Sequence, residues 1–255
     1  LKLWKPSTHA DFQGSRSEDR LQREAVARKL DELQSKMRDF PQNLPGRVIV
    51  PHRLATNREG SRVIGYTMRL LRPSDPLRAF AQSGFRAQAQ IDNNQVLETF
   101  RDLHQTVRGL HQRSVVIGDF NYLNVLVQNL QAWLIDSDSM QFGKYVGRSF
   151  TLRFVDPLIC DARLKSLLQT GRPAESTDWY AYALMLFECL LLVHPYGGVY
   201  EPKSSGDRIP QDERPLKRIS VLHPDVRYPV KGVPLAALPD ELLQFYARLL
   251  EKDWR

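Results

Sequence analysis

The chain has 255 residues, 42% of them hydrophobic and 25% charged, which is enough for one large domain or two small ones. Its formal charge of +7 favours anionic partners such as nucleotides or acidic proteins, but the arginines are scattered without a stacking motif, so nucleic-acid binding is not expected. Two cysteines exclude a disulfide framework or a zinc site, and with no signal peptide or bilayer-length apolar run we expect a cytoplasmic protein without membrane contact.

The first predicted elements are a short strand and a helix. Alternating apolar residues over Leu1–Trp4 indicate the tail of a β-strand. A helix is predicted from Ser17 to about Arg38, because Glu18 and Asp19 follow Ser17 as they do at many helix starts. Its apolar face recurs with helical spacing at Val26, Leu30, Leu33 and Met37.

Two strands are predicted next. Pro45-Gly46 marks a turn into the apolar run Val48–Val50, and a second run, Arg62–Met68, follows the polar loop Asn57–Ser61. Because both runs have strand composition and the intervening residues are turn-forming, we predict that they pair as antiparallel strands.

The middle of the chain combines a helix with a hairpin. Asn93–Arg113 is predicted to be helical, and two short apolar runs, Val125–Val127 and Ala132–Ile135, are separated by the turn-like Gln128-Asn129. The helix carries one apolar face, formed by Val96, Leu97, Phe100, Leu103, Val107 and Leu110.

Three polar side chains stand out around this hairpin. Asp119 and Asn124 bracket a tight polar loop before the first strand, and Asp136 follows the end of the second strand. Oxygen ligands on loops at strand ends suit a hard cation such as Mg²⁺ that carries a phosphate. Together the three residues therefore predict a site for a metal-bound phosphate.

The last part of the chain is predicted to be mainly helical. Ser137–Asp156 is polar and predicted to be flexible, whereas Trp179–Leu192 is apolar on nearly every side and is predicted to be a buried helix capped by Ser176-Thr177-Asp178. A charged, proline-rich loop spans about 199–237. A final amphipathic helix, Asp240–Leu250, is predicted to be capped by Asp240.

The pattern Asp119-x-x-x-x-Asn124, followed by a strand and then by a strand ending in Asp136, resembles the catalytic and metal-binding loops of the protein-kinase fold. Leu110-His111 is similar to the pair that closes the helix before that loop. The resemblance implies an α+β, two-lobed kinase-like fold. Residues 1–71 would form a small β-rich N-lobe, apparently truncated before the third kinase strand, and residues 72–255 a larger helical C-lobe.

The resemblance also implies roles for individual residues. Asp119 would accept the proton of the acceptor hydroxyl, and Asn124 and Asp136 would hold Mg²⁺ or Mn²⁺. Lys2, with Lys5 as the alternative, would pair with the α/β-phosphates of ATP. Asp178 would brace the backbone of the catalytic loop.

A nucleotide pocket is implied in the same way. Met68 would guard the back of the adenine pocket, Leu70 and Leu71 would belong to the hinge, and Leu126 would pack under the base. Asp75 is a candidate ribose contact, or equally a cap for the turn Pro76–Phe80.

The ion-pair partner of the lysine is less well defined in this resemblance. Glu24 has the residue type expected of a partner on the first helix, but it falls opposite the apolar stripe. Gln22 has the better helical position and carries no charge.

Several positions depart from the kinase pattern. Ile117-Gly118 stands where His-Arg is usual, and Asn121 replaces the lysine that follows the catalytic aspartate. Leu158 stands where a glutamate is usual, which puts the anchoring ion pair of this segment in question. Asp138 is either a second metal ligand or a polar turn residue. No glycine-rich loop precedes Lys2 in the sequence.

The function implied is ATP-dependent phosphoryl transfer to protein serine or threonine hydroxyls. The chain is similar to atypical bacterial kinases of tellurite-resistance-type phosphorylation systems or of helix-hairpin-helix fusions. Its partners would be a nucleotide and a protein substrate or signalling protein. One alternative is a pseudokinase that acts as a nucleotide-binding scaffold. Another is a small-molecule phosphotransferase, because Gly118-Asp119 is reminiscent of the aminoglycoside phosphotransferases.

Overall fold

A computed structural model describes residues 1–5, 30–161, 163, 167–203 and 208–255. The fold is mixed α and β with small antiparallel sheets, as the α+β prediction required. The strands are β1 (Lys2–Leu3), β2 (Arg53–Thr56), β3 (Val63–Thr67), β4 (Asp75–Pro76), β5 (Val125–Gln128), β6 (Gln131–Leu134), β7 (Val199–Tyr200) and β8 (Val226–Arg227). The helices are α1 (described over 30–38), α2 (Ser83–Ala89), α3 (Asn93–His111), α4 (Glu175–Leu191), α5 (Arg214–Lys217) and α6 (Asp240–Glu251).

The first sheet holds Lys2 on its strand β1. Its strand order is β1-β3-β2, with Lys2 opposite Tyr66 and Leu3 opposite Gly65. A Cβ at Gly65 would lie 2.1 Å from the backbone oxygen of Lys2, so β1 can approach β3 only because this residue has no side chain.

The prediction that Val48–Val50 pairs with Arg62–Met68 was wrong. The partners of β3 are β1 and β2, and β2 follows that run in the chain. Val48–Val50 lies beside the second sheet, where Ile49 N donates to Leu134 O at 2.8 Å and Leu134 N donates to Arg47 O at 2.8 Å. The Ile49 N–H therefore bonds to β6 and not to β3.

The predicted hairpin between 125 and 135 is confirmed. Strands β5 and β6 pair in antiparallel register, and β4 adds to the open edge of β5. The turn consists of Asn129 and Leu130, which both have positive φ (52° and 61°), the backbone that suits the twist of a two-residue hairpin. Asp75 belongs to β4 and pairs with Val127 of β5. It is not the cap of the following 3₁₀ turn, whose N-cap is Pro76.

Helix α1 is joined to the first sheet by a reciprocal side-chain contact. The amide of Gln34 donates to Val63 O at 2.7 Å and accepts from Val63 N at 2.7 Å. Leu33 and Met37 are buried, as the apolar spacing predicted. Glu24, Gln22 and Val26 lie outside the described residues.

The long helix α3 is confirmed, ending two residues before the predicted Arg113. It begins with a reciprocal cap in which Asp92 accepts from Gln95 N and the Gln95 side chain accepts from Asp92 N, both at 2.9 Å. The predicted face is buried at Val96, Phe100, Leu103, Val107 and Leu110, while Leu97 is half-buried.

Helix α4 begins earlier than predicted. Its N-cap is Ala174, and the hydroxyl of Thr177 donates to Ala174 O at 2.7 Å, so Ser176-Thr177-Asp178 is not the cap. Asp178 instead lies within the first turn of the helix, where its side chain is fully buried. This shift frees the carboxylate to contact the loop before Asp119.

Residues 137–156, predicted to be flexible from their polar composition, contribute several side chains to the core. Met140, Phe142 and Tyr145 are buried in the main apolar core. Val116 and Gln141 exchange two backbone hydrogen bonds of 2.7 and 2.9 Å. The polar composition of the segment concealed these apolar anchors.

The C-terminal predictions were partly wrong. The predicted loop 199–237 contains the β7–β8 pair and the short helix α5. Helix α6 matches its predicted range, but the residue that caps it is Pro239, and Asp240 is its first helical residue.

The main core extends from α1 to α6 through α3 and α4. Within the described ranges, no helix has the combination of length and hydropathy needed to cross a bilayer.

Candidate functional site

The loop that precedes Asp119 is held by a buried carboxylate. Asp178 accepts hydrogen bonds from Ile117 N at 2.8 Å, Gly118 N at 2.9 Å and His111 Nε2 at 2.9 Å. Burial raises the pKa of Asp178, and the three donors oppose that increase. The Asp178 side chain thus fixes the backbone of the loop, as expected for this residue.

Asp119 is oriented by two neighbours. Its Oδ1 accepts from the Thr151 hydroxyl at 2.8 Å and from Asn121 Nδ2 at 3.1 Å, and Asn121 Nδ2 also donates to Thr151 at 3.1 Å. Thr151 was not predicted from the sequence, because a single threonine 32 residues further along the chain gives no local signal.

Asn124 links Asp119 to the strand that leads to Asp136. Its Nδ2 donates to Asp119 O at 3.0 Å, and its backbone oxygen accepts from Ile135 N at 2.9 Å. Among the described residues, no side chain or backbone donor bonds to the Asn124 amide oxygen, so that oxygen is available as a ligand.

Asp136 leaves β6 in the left-handed region, with φ 62° and ψ 34°. This backbone is uncommon for a residue other than glycine and is enriched at functional sites. The Lys2 ammonium contacts Asp136 Oδ1, and the Asp136 side chain remains 34% exposed. The structure therefore brings the predicted phosphate-binding lysine onto the predicted metal ligand.

Asp138 is a second partner of Lys2. Its Oδ1 accepts from Lys2 Nζ at 2.6 Å and from Tyr66 OH at 2.7 Å, and its Oδ2 accepts from Trp4 Nε1 at 3.1 Å. Burial opposes ionisation of Asp138, but the Lys2 ammonium and these three donors outweigh it and lower the pKa of this carboxyl. Both carboxylate oxygens are thus engaged by protein donors.

The pKa of Lys2 shifts in the opposite direction to that of Asp138. Burial lowers the pKa of Lys2, but the charges of Asp138 and Asp136 outweigh burial and raise it. Lys2 is therefore a cation over the whole physiological pH range.

The predicted adenine-pocket residues are only partly assembled. Leu71 is buried with Ile49 and Trp133, and Met68, Leu126 and Ile135 pack against this cluster. Leu70 is 73% exposed and does not join it. Asp75 is exposed beside β5.

Leu158 is exposed, and as a leucine it cannot form the anchoring ion pair. The segment does contain an ion pair, at the residue two positions earlier. Asp156 forms a bidentate ion pair with Arg255. The ion pair that Leu158 put in question is thus present, with Asp156 as its carboxylate.

The described residues contain no group of three or more His, Cys, Asp or Glu side chains placed to share a metal ion. A site built from Asp136 and Asn124 would supply one carboxylate and one amide oxygen. Mg²⁺ commonly takes only one or two protein carboxylates and completes its shell with water and phosphate oxygens.

No protein-family model matches this chain, and no curated protein sequence is significantly similar to it.

Proposed function

We propose that this chain is an ATP-dependent phosphotransferase with a two-lobed, kinase-like arrangement that acts on serine or threonine hydroxyls of proteins. The observation that carries the proposal is the meeting of Lys2 with Asp136, residues separated by 134 positions in the chain. Asp136 is in turn linked through the backbone of Ile135 to Asn124, and Asn124 to Asp119. These contacts connect a cation, a proposed metal-ligand pair and a candidate base, which we propose line one cleft.

The ligand atoms fit a divalent cation. Asn124 commits its amide nitrogen to Asp119 and leaves its oxygen free of bonds from other described residues, while Asp136 offers a partly exposed carboxylate. Mg²⁺ or Mn²⁺ at these oxygens would neutralise charge on the phosphates of ATP.

Asp119 would receive the proton of the acceptor hydroxyl. The hydrogen bond from Thr151 orients one carboxylate oxygen and leaves the other open to an acceptor hydroxyl. Asp178 keeps the loop in register by bonding to Ile117 and Gly118. Phosphoryl transfer depends chiefly on such positioning and on charge stabilisation.

The apolar cluster of Ile49, Leu71 and Trp133, with Met68 and Leu126 packed on it, would border the base of the nucleotide. Leu70 and Asp75 lie outside this cluster, so their proposed contacts would be to the rim of the pocket.

A nucleotide-binding scaffold without catalysis is the second candidate. The contact of Lys2 with Asp136 favours it, because a cation that binds Asp136 must displace the lysine from that oxygen. Asn121, which stands where a positive charge is usual, also bonds to Asp119 instead of leaving it free.

The test is phosphoryl transfer from labelled ATP with Mg²⁺ or Mn²⁺ to a protein mixture, comparing the wild type with Asp119→Asn and Asp136→Asn. We expect both variants to be inactive, because one lacks the base and the other a metal ligand. Asp31→Asn is the matched control, since Asp31 is an exposed residue that pairs only with exposed Arg62 in the described structure.

Activity that survives Asp136→Asn would refute the metal assignment. Nucleotide binding without transfer would favour the scaffold. Transfer to small hydroxylated compounds but not to protein would instead indicate a small-molecule phosphotransferase.

A further inference from the structure

Asp138 differs from Asp136 in burial and in its donors, although Lys2 contacts both. The Asp138 side chain is 8% exposed and receives bonds from Lys2, Tyr66 and Trp4. Asp136 is 34% exposed, and Lys2 is the side-chain donor that it has among the described residues. A solvent-facing carboxylate with one partner can exchange that partner, whereas a buried one with three donors cannot do so without leaving those donors unsatisfied.

We propose that Asp138 is the positioning residue of Lys2, which holds the ammonium in the cleft while Asp136 is free to bind a cation. The inference rests on the nucleotide-binding part of the proposed function and does not require phosphoryl transfer. In this inference the carboxylate that pairs with Lys2 comes from the segment after β6. In the kinase resemblance it would come from the first helix.

The surroundings of Asp138 support a fixed role. Tyr66 stands opposite Lys2 in the β1–β3 pairing, so one strand pair presents both donors to Asp138 Oδ1. From the other side, the buried Lys36 of helix α1 donates to Asp138 O at 2.7 Å. The described part of α1 therefore contributes a cation that holds the backbone of Asp138.

Geometry limits what else Asp138 can do. Metal binding by Asp138 would compete with its present bonds, since Oδ1 accepts two hydrogen bonds and Oδ2 accepts one from the Trp4 indole. Asp138 lies in the 3₁₀ turn Ser137–Ser139, as one of the two alternatives drawn from the sequence predicted. Its side chain is nevertheless buried and contacts an ammonium, a phenol and an indole.

A double-mutant cycle on ATP binding tests the proposal. The dissociation constant for ATP with Mg²⁺ is measured for the wild type, Lys2→Met, Asp138→Asn and the double variant. If Asp138 acts through Lys2, Asp138→Asn weakens binding by about tenfold to a hundredfold in the wild type, as when an outer partner of a ligating group is removed. In the Lys2→Met background, the same change should have no further effect.

Tyr66→Phe keeps the proposal falsifiable if Asp138→Asn fails to fold. It removes one donor to Asp138 without changing a charge, and its smaller loss of affinity should also vanish in the Lys2→Met background. Asp102→Asn is the matched control, because Asp102 accepts from Ala132 N and pairs with Arg47, away from Lys2. We expect ATP affinity to be unchanged by that substitution.

The outcomes separate this inference from the proposed function. The inference would be overturned if Asp138→Asn, or Tyr66→Phe, weakened ATP binding as much in the Lys2→Met background as in the wild type. That result would indicate a purely structural role. A wild-type protein that binds ATP, obeys the cycle and transfers nothing would support the inference and refute the catalytic proposal. A wild-type protein that binds no ATP would overturn both.

Discussion

Asp156 and Arg255 are 99 residues apart in sequence and form a two-bond ion pair, with Nε to Oδ2 at 2.6 Å and Nη2 to Oδ1 at 2.7 Å. Their side chains are only 1% and 11% exposed. The Arg255 guanidinium also lies 4.3 Å from the centre of the Tyr180 ring. This pair joins the end of the 137–156 segment to helix α4 and to the residues that follow α6.

We expect Arg255→Ala to lower the free energy of unfolding by about 3–5 kcal/mol, because it leaves the Asp156 charge buried and unpaired. Arg255→Lys should recover part of the loss, since an ammonium cannot form the two-bond geometry. Urea unfolding measures both. Arg62→Ala removes an exposed ion pair and should cost less than about 1 kcal/mol. Equal losses for Arg255→Ala and Arg62→Ala would contradict this account.

Gly65→Ala should displace β1, because the new methyl would overlap the backbone of Lys2. We expect a loss of about 1–3 kcal/mol in unfolding free energy, the cost of overpacking, together with weaker ATP binding. Denaturation and nucleotide titration are the measurements. Gly84→Ala is the control, because a Cβ there meets nothing within 4 Å and alanine favours helix α2. A Gly65→Ala protein with wild-type stability would show that β1 has another way to fit.

Thr151→Val should reduce the rate of phosphoryl transfer about tenfold, since removing a hydrogen-bond partner loosens the orientation of Asp119. Thr151→Ser keeps the hydroxyl and should retain most of the rate. The turnover number at saturating ATP distinguishes this effect from a change in nucleotide binding. Equal rates for the valine and serine variants would remove Thr151 from the site.

His194 predicts a pH dependence of stability. Its Nδ1 accepts from Tyr196 N at 3.2 Å and its Nε2 donates to Arg153 O at 3.1 Å, so the folded ring is neutral. Burial, with the Arg153 charge, lowers its pKa from 6.5 to about 3. Between these values the unfolded chain binds a proton that the folded chain does not, so stability is full above pH 6.5 and falls as the pH decreases.

The slope from this one group should approach about 1.4 kcal/mol per pH unit in that window. His194→Gln should flatten the slope, as measured by urea unfolding between pH 7 and the acid range. His104→Gln is a control for general effects of losing an imidazole. An unchanged slope in His194→Gln would show that His194 is protonated in the folded protein.

Periodic local patterns predicted the long helices and the central hairpin, but not the short elements α2, α5, β2, β4, β7 and β8. The face of α3 that includes Phe100 and Leu103 is visible as a helical repeat, and the hairpin after Asn124 shows as two apolar runs around a turn. Both features depend on residues that are close in sequence, so the amino-acid sequence alone is enough to predict them.

Contacts between distant residues could not be predicted in the same way. Val48–Val50 has strand composition, but composition does not say which strand it lies beside. In the structure this run lies beside Leu134, whose backbone bonds to Ile49 N and Arg47 O. Asp138 appeared to be a turn residue or metal ligand, because its donors come from the other end of the chain. The need for glycine at residue 65 emerges only when the sheet register is known.

Strand β1 is only two residues long, and few backbone hydrogen bonds hold it to β3. Lys2 and Trp4 also attach it through their bonds to Asp138, and we expect the strand to open and close as one small cooperative unit. The fraction of molecules that present the Lys2 ammonium to the proposed cleft would then be set by this opening equilibrium. Any ligand that engages Lys2 would slow amide hydrogen exchange in β1 and would bind with an apparent affinity reduced by the open fraction.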